Sequence, residues 1–279
     1  MPPEPRFFAI VVLFLATSLH AQGKAAYART RGDTLRLREQ TSARSTLTLR
    51  TGKIVITSDH DAILAVTFAK NDTAKAWYEA LSLTEGTSAG RKSPNTAGAL
   101  RKPFSMRFNE RGKIDNVTPP KFPANIDSIS DLRKQFDDFF MPLPQKALVR
   151  GLTWVDSSDA VDNNTKNGSW QRSRRIGHYK VERDTTIAGK RAFVVSAVQA
   201  LHVESGAPLP GGVENGFSQN VLTGGDTGIV VFDPIAGRML GRKRQGSMSG
   251  ILTMRPAEGL PSIVTEEMKY VNVISTAKK

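Results

Sequence analysis

The chain has 279 residues and no cysteine, and it sets 39 Lys and Arg against 26 Asp and Glu for a formal charge of +13. The missing cysteine excludes disulfides, thiolate metal sites, a catalytic Cys and a lipid-modified Cys, and a chain this long buries enough core to fold without such staples. The positive balance favours anionic, phosphate-rich surfaces as neighbours and says nothing about fold.

Residues 1–21 read as an export signal. Arg6 precedes an apolar run from Phe7 to Leu15, uncharged through Leu19, and small Ala21 suits a signal peptidase. The run is shorter than the roughly 20 residues of a spanning helix. The expected mature protein is therefore 22–279, exported to the periplasm or beyond, with an uncleaved anchor as the alternative.

Period-two alternation dominates the remainder of the chain and predicts strands. Leu35 and Leu37 alternate with Arg36 and Arg38, and Leu47 and Leu49 come next. Ala62, Leu64, Val66 and Phe68 continue the pattern, as do Trp77, Glu79, Leu81 and Leu83, then Phe104, Met106 and Phe108. One stretch changes period. Ile129, Leu132, Phe136 and Phe139 recur at helical spacing, with Asp127 or Ser128 as N-cap and Pro142 and Pro144 beyond, which predicts a helix over 128–140 lying on a sheet. A polar loop is expected over Asp156–Gly168 and an exposed loop over Ser205–Gly216. Further strands are expected at Arg191–Val203, Gly228–Asp233 and Glu267–Ile274, and two strands turning near Gln245-Gly246 within Arg238–Thr253.

Ten to twelve short strands with one or two helices predict a mainly β fold: a large curved antiparallel sheet or open barrel with a covering helix near 128–140. A single domain over 22–279 is expected, with a division into two halves near 118–145 as the alternative.

No catalytic motif is present. Gly246-Ser247-Met248-Ser249-Gly250 places Met248 where a nucleophile elbow needs Ser. In Asp162–Gly168, Lys166 takes a calcium-ligand position and Ser173 stands where the bidentate Glu belongs. Asp59-His60-Asp61 is the tightest ligand cluster, but a polar turn between strands accounts for it without a metal. Neither metal nor cofactor is expected, and neither is enzymatic activity. The candidate ligand-binding residues are aromatic and basic: Trp77, Phe136, Phe139 and Trp154 to line a cavity between helix and sheet, and Arg242 and Arg244, which alternation places on one face, to meet an anionic head group.

Gly32-Asp33-Thr34-Leu35, Leu143-Pro144 with Gly151-Leu152-Thr153-Trp154, Gly189-Lys190-Arg191-Ala192, and Gly228 to Asp233 ahead of Gly237-Arg238 together resemble a family of uncharacterised exported bacterial β-rich proteins. That family commonly has Gly-Asp-x before the Trp, and Leu152 replaces the Asp here. The resemblance implies a fold and no catalytic residues. At the level of architecture, the expected sheet and helix are similar to the periplasmic lipoprotein-carrier half-barrels. The leading expectation is an exported envelope protein binding an apolar or amphipathic anionic ligand, such as lipid or lipopolysaccharide, on the concave face of its sheet. Peripheral membrane contact fits that role, and export argues against nucleic acid. The alternatives are a non-catalytic envelope scaffold using a basic surface and, third, a hydrolase whose site is assembled by folding.

Overall fold

Alternation runs much further in space than the apolar residues alone suggest. The computed structural model describes residues 25–28, 32–69, 72–127, 132, 136, 138–164, 168–209 and 211–277. The chain forms β1 (Thr34–Leu49), β2 (Gly52–Phe68), β3 (Thr73–Thr87), β4 (Gly90–Lys92), β5 (Phe104–Phe108), β6 (Ile114–Thr118) and α1 (Ala124–Asp127). It continues through β7 (Thr153–Asn164), β8 (Ser169–Ile187), β9 (Lys190–Pro208), β10 (Gly216–Asp233), β11 (Arg238–Pro256) and β12 (Ser262–Thr276). All twelve strands join one sheet in the order β6-β5-β3-β2-β1-β12-β11-β10-β9-β8-β7, with β4 hydrogen-bonded to β3 off this path. Every ladder is antiparallel, and β1 pairs with β12 at the centre, so the first and last strands join the two halves of the chain.

The sheet is open and strongly curled. Six strand spacings separate β5 from β10 in its order, which would put roughly 29 Å between them if it were flat. Yet the Tyr27 ring touches both, at 5.4 Å from Phe108 and 5.2 Å from Phe232. The inner surface is therefore concave.

Several strands are longer than expected. β8, β9 and β11 each have 19 residues, about 60 Å of chain. The expected turn at Gln245-Gly246 is absent, because β11 runs straight through it in register with β10 and β12. The expected polar loop after Asp156 is strand β7 as far as Asn164, and Ser205–Pro208 belong to β9 rather than to a loop. Asp59, His60 and Asp61 likewise sit within β2, not in a turn. In each case water bathes one or both strand faces, so polar residues replace the alternation that would have marked a strand. The β8–β9 connection is a two-residue turn in which Ala188 and Gly189 both have positive φ, at 49° and 75°. That geometry matches the right-handed twist of long hairpins.

Residues 1–21, expected to be an export signal, lie outside the described residues, as does most of the helix expected over 128–140. Its described residues show where the stretch lies: Leu132, Phe136, Phe139 and Phe140 are buried in the core, following α1 with its buried Ile126. The described residues of 124–148 thus lie over one end of the concave face. Beneath them are Leu37, Leu64, Val66, Tyr78, Phe104, Phe108, Val181, Phe193, Val195, Phe232, Met239 and Ile274. Edge-to-face pairs such as Phe104–Phe136 at 5.0 Å and Phe108–Phe140 at 4.8 Å lock the cover to the sheet.

Candidate ligand-binding face

Halfway along the strands, the concave face changes from apolar to polar. A belt of inward side chains crosses it from β8 to β1, and Asp138 of the covering segment is its anchor. The Asp138 carboxylate accepts hydrogen bonds from Arg175 on β8 and Arg244 on β11. Arg244 Nη1 also donates to Gln199 Oε1 at 3.1 Å, and Gln199 Nε2 donates to the Tyr179 hydroxyl at 2.9 Å. Arg242 donates to the Phe139 carbonyl at 3.0 Å and to Asn272 Oδ1 at 2.9 Å, and Asn272 donates onward to Glu39 Oε1 at 2.8 Å. Burial is the largest influence on Arg242 and lowers its pKa, with Arg244 acting in the same direction and Glu39 and Asp226 opposing it.

Glycines on β11 make this belt possible. Gly246 lies between Asp226 on β10 and Tyr270 on β12, and a Cβ there would stand 2.6 Å from Asp226 Cβ and 2.8 Å from Tyr270 Cζ. The open space lets the Tyr270 hydroxyl donate across the strand to Asp226 Oδ2 at 2.6 Å. Glu266 bridges two strand pairs in the same way, accepting from Ser45 Oγ at 2.8 Å and from Asn220 Nδ2 at 2.9 Å beyond Gly250. His60 extends the belt on β2. Burial lowers its pKa while Glu39 and Asp61 pull the other way, and its Nε2 has no hydrogen-bond partner.

Beyond the belt the concave face is apolar again, and no described residue of the covering segment packs on it. Leu222, Met248 and Val264 are buried there, yet none belongs to the covered core cluster. Leu201, Val203, Leu252, Met254 and Met268 flank them half-buried, and Ile54 is exposed at the rim. The half-buried residues line an apolar trough whose floor is Leu222, Met248 and Val264.

Two cavities border the concave face. One, of about 980 Å³, lies at the covered rim among Tyr27, Leu35, Phe68, Phe108, Arg238 and Leu240, next to residues 29–31, which lie outside the described residues. The other, of about 580 Å³, lies between the edge strands β6 and β7 and reaches Leu201 and Val203 of the trough. Asp156 stands in it, its pKa raised by burial and opposed by Arg111 and Lys113.

Five of the six candidate residues face the concave side. Phe136 and Phe139 are almost fully buried in the covered core. Trp154 stacks on Tyr179 at 5.2 Å with 14° between the rings, and its Nε1–H donates to the Pro142 carbonyl at 3.0 Å. Arg242 and Arg244 share a face as expected, but both point under the cover into the belt, where carboxylate, amide and carbonyl oxygens hold them. Trp77 stands on the convex side, opposite Ala65. Asp59 and Asp61 are also convex; Arg38 and Gln40 bind Asp61, and Ser42 and Arg91 approach Asp59. Among the described residues, no group of three or more His, Cys, Asp or Glu side chains is placed to hold a metal ion.

Sequence reasoning missed Asp138, Glu39, Asp226 and Glu266. Only Glu39 carried a signal, since it continues the Leu35, Leu37 alternation onto the inner face. The convex face carries ion pairs midway along its strands, including Arg38–Asp61 at 2.6 Å and Lys180–Glu182 at 3.0 Å, so it faces water.

The chain matches no protein-family model and no curated protein. Among solved structures it is similar to lipovitellin, reported for its lipid–protein interactions, with 9% identity, a TM-score of 0.43 and 90% of this chain covered. The match spans about a quarter of that protein, 26% of its chain. Neisserial surface protein A matches with 9% identity and a TM-score of 0.25, covering 88% of this chain and 99% of its own. Pseudomonas aeruginosa OccK2 in complex with glucuronate matches with 9% identity and a TM-score of 0.25, covering 92% and 100%. These TM-scores are too low to transfer a fold or a function to this chain.

Proposed function

We propose that this is an exported, non-catalytic envelope protein that binds the hydrocarbon part of an apolar or amphipathic ligand, such as a lipid, in the uncovered trough of its concave face. One observation carries the reading: half-buried Leu201, Val203, Leu252, Met254 and Met268 form an apolar concave surface outside the covered core cluster. Concave apolar surface edged by a few polar groups is the usual form of a ligand site, and apolar surface that the fold leaves open calls for an occupant. A scaffold role through surface cations has less support, because Arg38, Arg172, Arg174 and Lys180 on the convex face are already paired with acids.

Native mass spectrometry of the protein purified from a bacterial periplasm, with lipid analysis of an organic extract, tests the proposal. A stoichiometric adduct that yields a lipid on extraction is expected, on a chain starting at Gln22. A clean apo mass that persists after incubation with envelope lipids would overturn the binding reading.

A further inference from the structure

The two ends of the strand path, β6 and β7, share no hydrogen-bonded ladder. Curling nevertheless brings them to opposite sides of the 580 Å³ cavity, whose inner wall is Phe136, Phe139 and Phe140 and whose far wall is Leu201 and Val203. The seam of the unclosed sheet therefore opens sideways onto the apolar trough.

The mouth of this seam is charge-balanced in a protein of strong positive charge. Its described lining includes the cations Arg111, Lys113, Arg174 and Arg175. Four carboxylates oppose them: Asp115, Asp138, Asp156 and Asp159. Two of these carboxylates are already taken: Asp138 holds Arg175 and Arg244 in the belt, and Asp159 turns to the convex face, where Arg172 closes on it at 2.5 Å. The pairs that remain are long, Arg175–Asp156 at 3.4 Å and Lys113–Asp115 at 4.0 Å. These long pairs leave Lys113, Asp115 and Asp156 able to turn to a ligand.

We infer that the β6–β7 seam is the port of the trough and holds the ligand's head group, and that this head group is zwitterionic, a phosphate with an ammonium, rather than purely anionic. The phosphate is met by Arg111 and Lys113, the ammonium by Asp115 and Asp156, and the acyl chain runs inward over Phe139 toward Leu201 and Val203. The buried guanidiniums Arg242 and Arg244 take no part, since belt oxygens already hold them. This inference rests on the carrier reading and adds the entrance and the class of head group.

The test incubates the mature protein with vesicles of equal phosphatidylethanolamine and phosphatidylglycerol and reads the adduct by native mass spectrometry. The wild type is expected to favour the ethanolamine lipid by about fivefold, the size of one partly exposed charge interaction. Asp156→Lys should reverse that preference and the isosteric Asp156→Asn should abolish it. Because the chain has no cysteine, Ser158→Cys carrying a bulky maleimide plugs the seam alone and should cut the adduct at least about tenfold. The same label on Ser249→Cys, on the convex face, should leave it unchanged. Equal binding of both lipids by wild type and Asp156 variants overturns the head-group assignment. Full loading of labelled Ser158→Cys overturns the port while the carrier reading stands. No adduct from any vesicle overturns the carrier reading, and this inference with it.

Discussion

The two ends of the concave face are built from the same strands and are finished differently. At one end, Phe104, Phe108, Phe232 and Met239 face inward and the described residues of 124–148, among them Phe136, Phe139 and Phe140, close over them, so aromatic rings fill the space. At the other, Leu201, Val203 and Met268 face inward and stay half-buried, outside the covered core cluster. Strand alternation supplies an apolar inner face along the whole length, but only a returning segment turns that face into core. The polar belt anchored on Asp138 marks the border where the cover ends.

Mutations should separate the two ends by how stability and binding divide between them. The largest effect is expected from Phe108→Ala. This ring is buried against Tyr27, Phe68 and Phe140, and its truncation should cost about 3–5 kcal/mol in urea unfolding. If the loss is under about 1 kcal/mol, the covered end is not the folding core. Asp138→Ala leaves Arg175 and Arg244 without their shared carboxylate and should cost about 1.5–3 kcal/mol, with a lower denaturation midpoint. Gly246→Val places a side chain against Asp226 and Tyr270, and should cost about 1–3 kcal/mol by overpacking. An unchanged midpoint for Gly246→Val would mean that the strands can open at the belt.

Acid should act on the belt through His60. Its pKa is lowered in the fold by burial, so below its unfolded value of about 6.5 the unfolded chain takes up a proton that the folded chain refuses. Stability then falls as pH drops through about 6.5 and levels off below the folded value, with a slope of at most about 1.4 kcal/mol per pH unit. His60→Gln should flatten that slope in unfolding curves measured across this range, and a slope identical to the wild type would remove His60 as its source. The smallest change in stability belongs to the open end. Leu201→Ser and Met268→Ser should each cost under about 1 kcal/mol while sharply reducing the lipid adduct. Equal losses of stability at both ends would erase the distinction between core and trough.

Much of the sheet was legible because strand parity is local. Leu35–Leu37, Ala62–Phe68 and Phe104–Phe108 declared their strands, and the shared face of Arg242 and Arg244 followed from alternation alone. β7 was not legible. Asp156, Ser157, Ser158 and Asp159 lie at a sheet edge with water on one side and the charged seam on the other, so no apolar alternation marks the strand. The length of β11 was hidden in the same way: Gly246, read as a turn signal, and Gly250 are instead the gaps through which Tyr270 and Glu266 reach the strand beyond.

The sequence by itself determined that this is a β-rich chain without cysteine and assigned many side chains to one of two faces, because side-chain direction along a strand repeats every two residues and needs no distant partner. Only the tertiary structure decided which stretches of that inner face became core, belt or open trough. Arg242 and Arg244 show the difference: parity set their direction, while the group that holds Arg244 is the Asp138 carboxylate, 106 residues away. Burial depends on which segment returns over a surface and on how far the sheet curls, and both are set by contacts between residues distant in the chain.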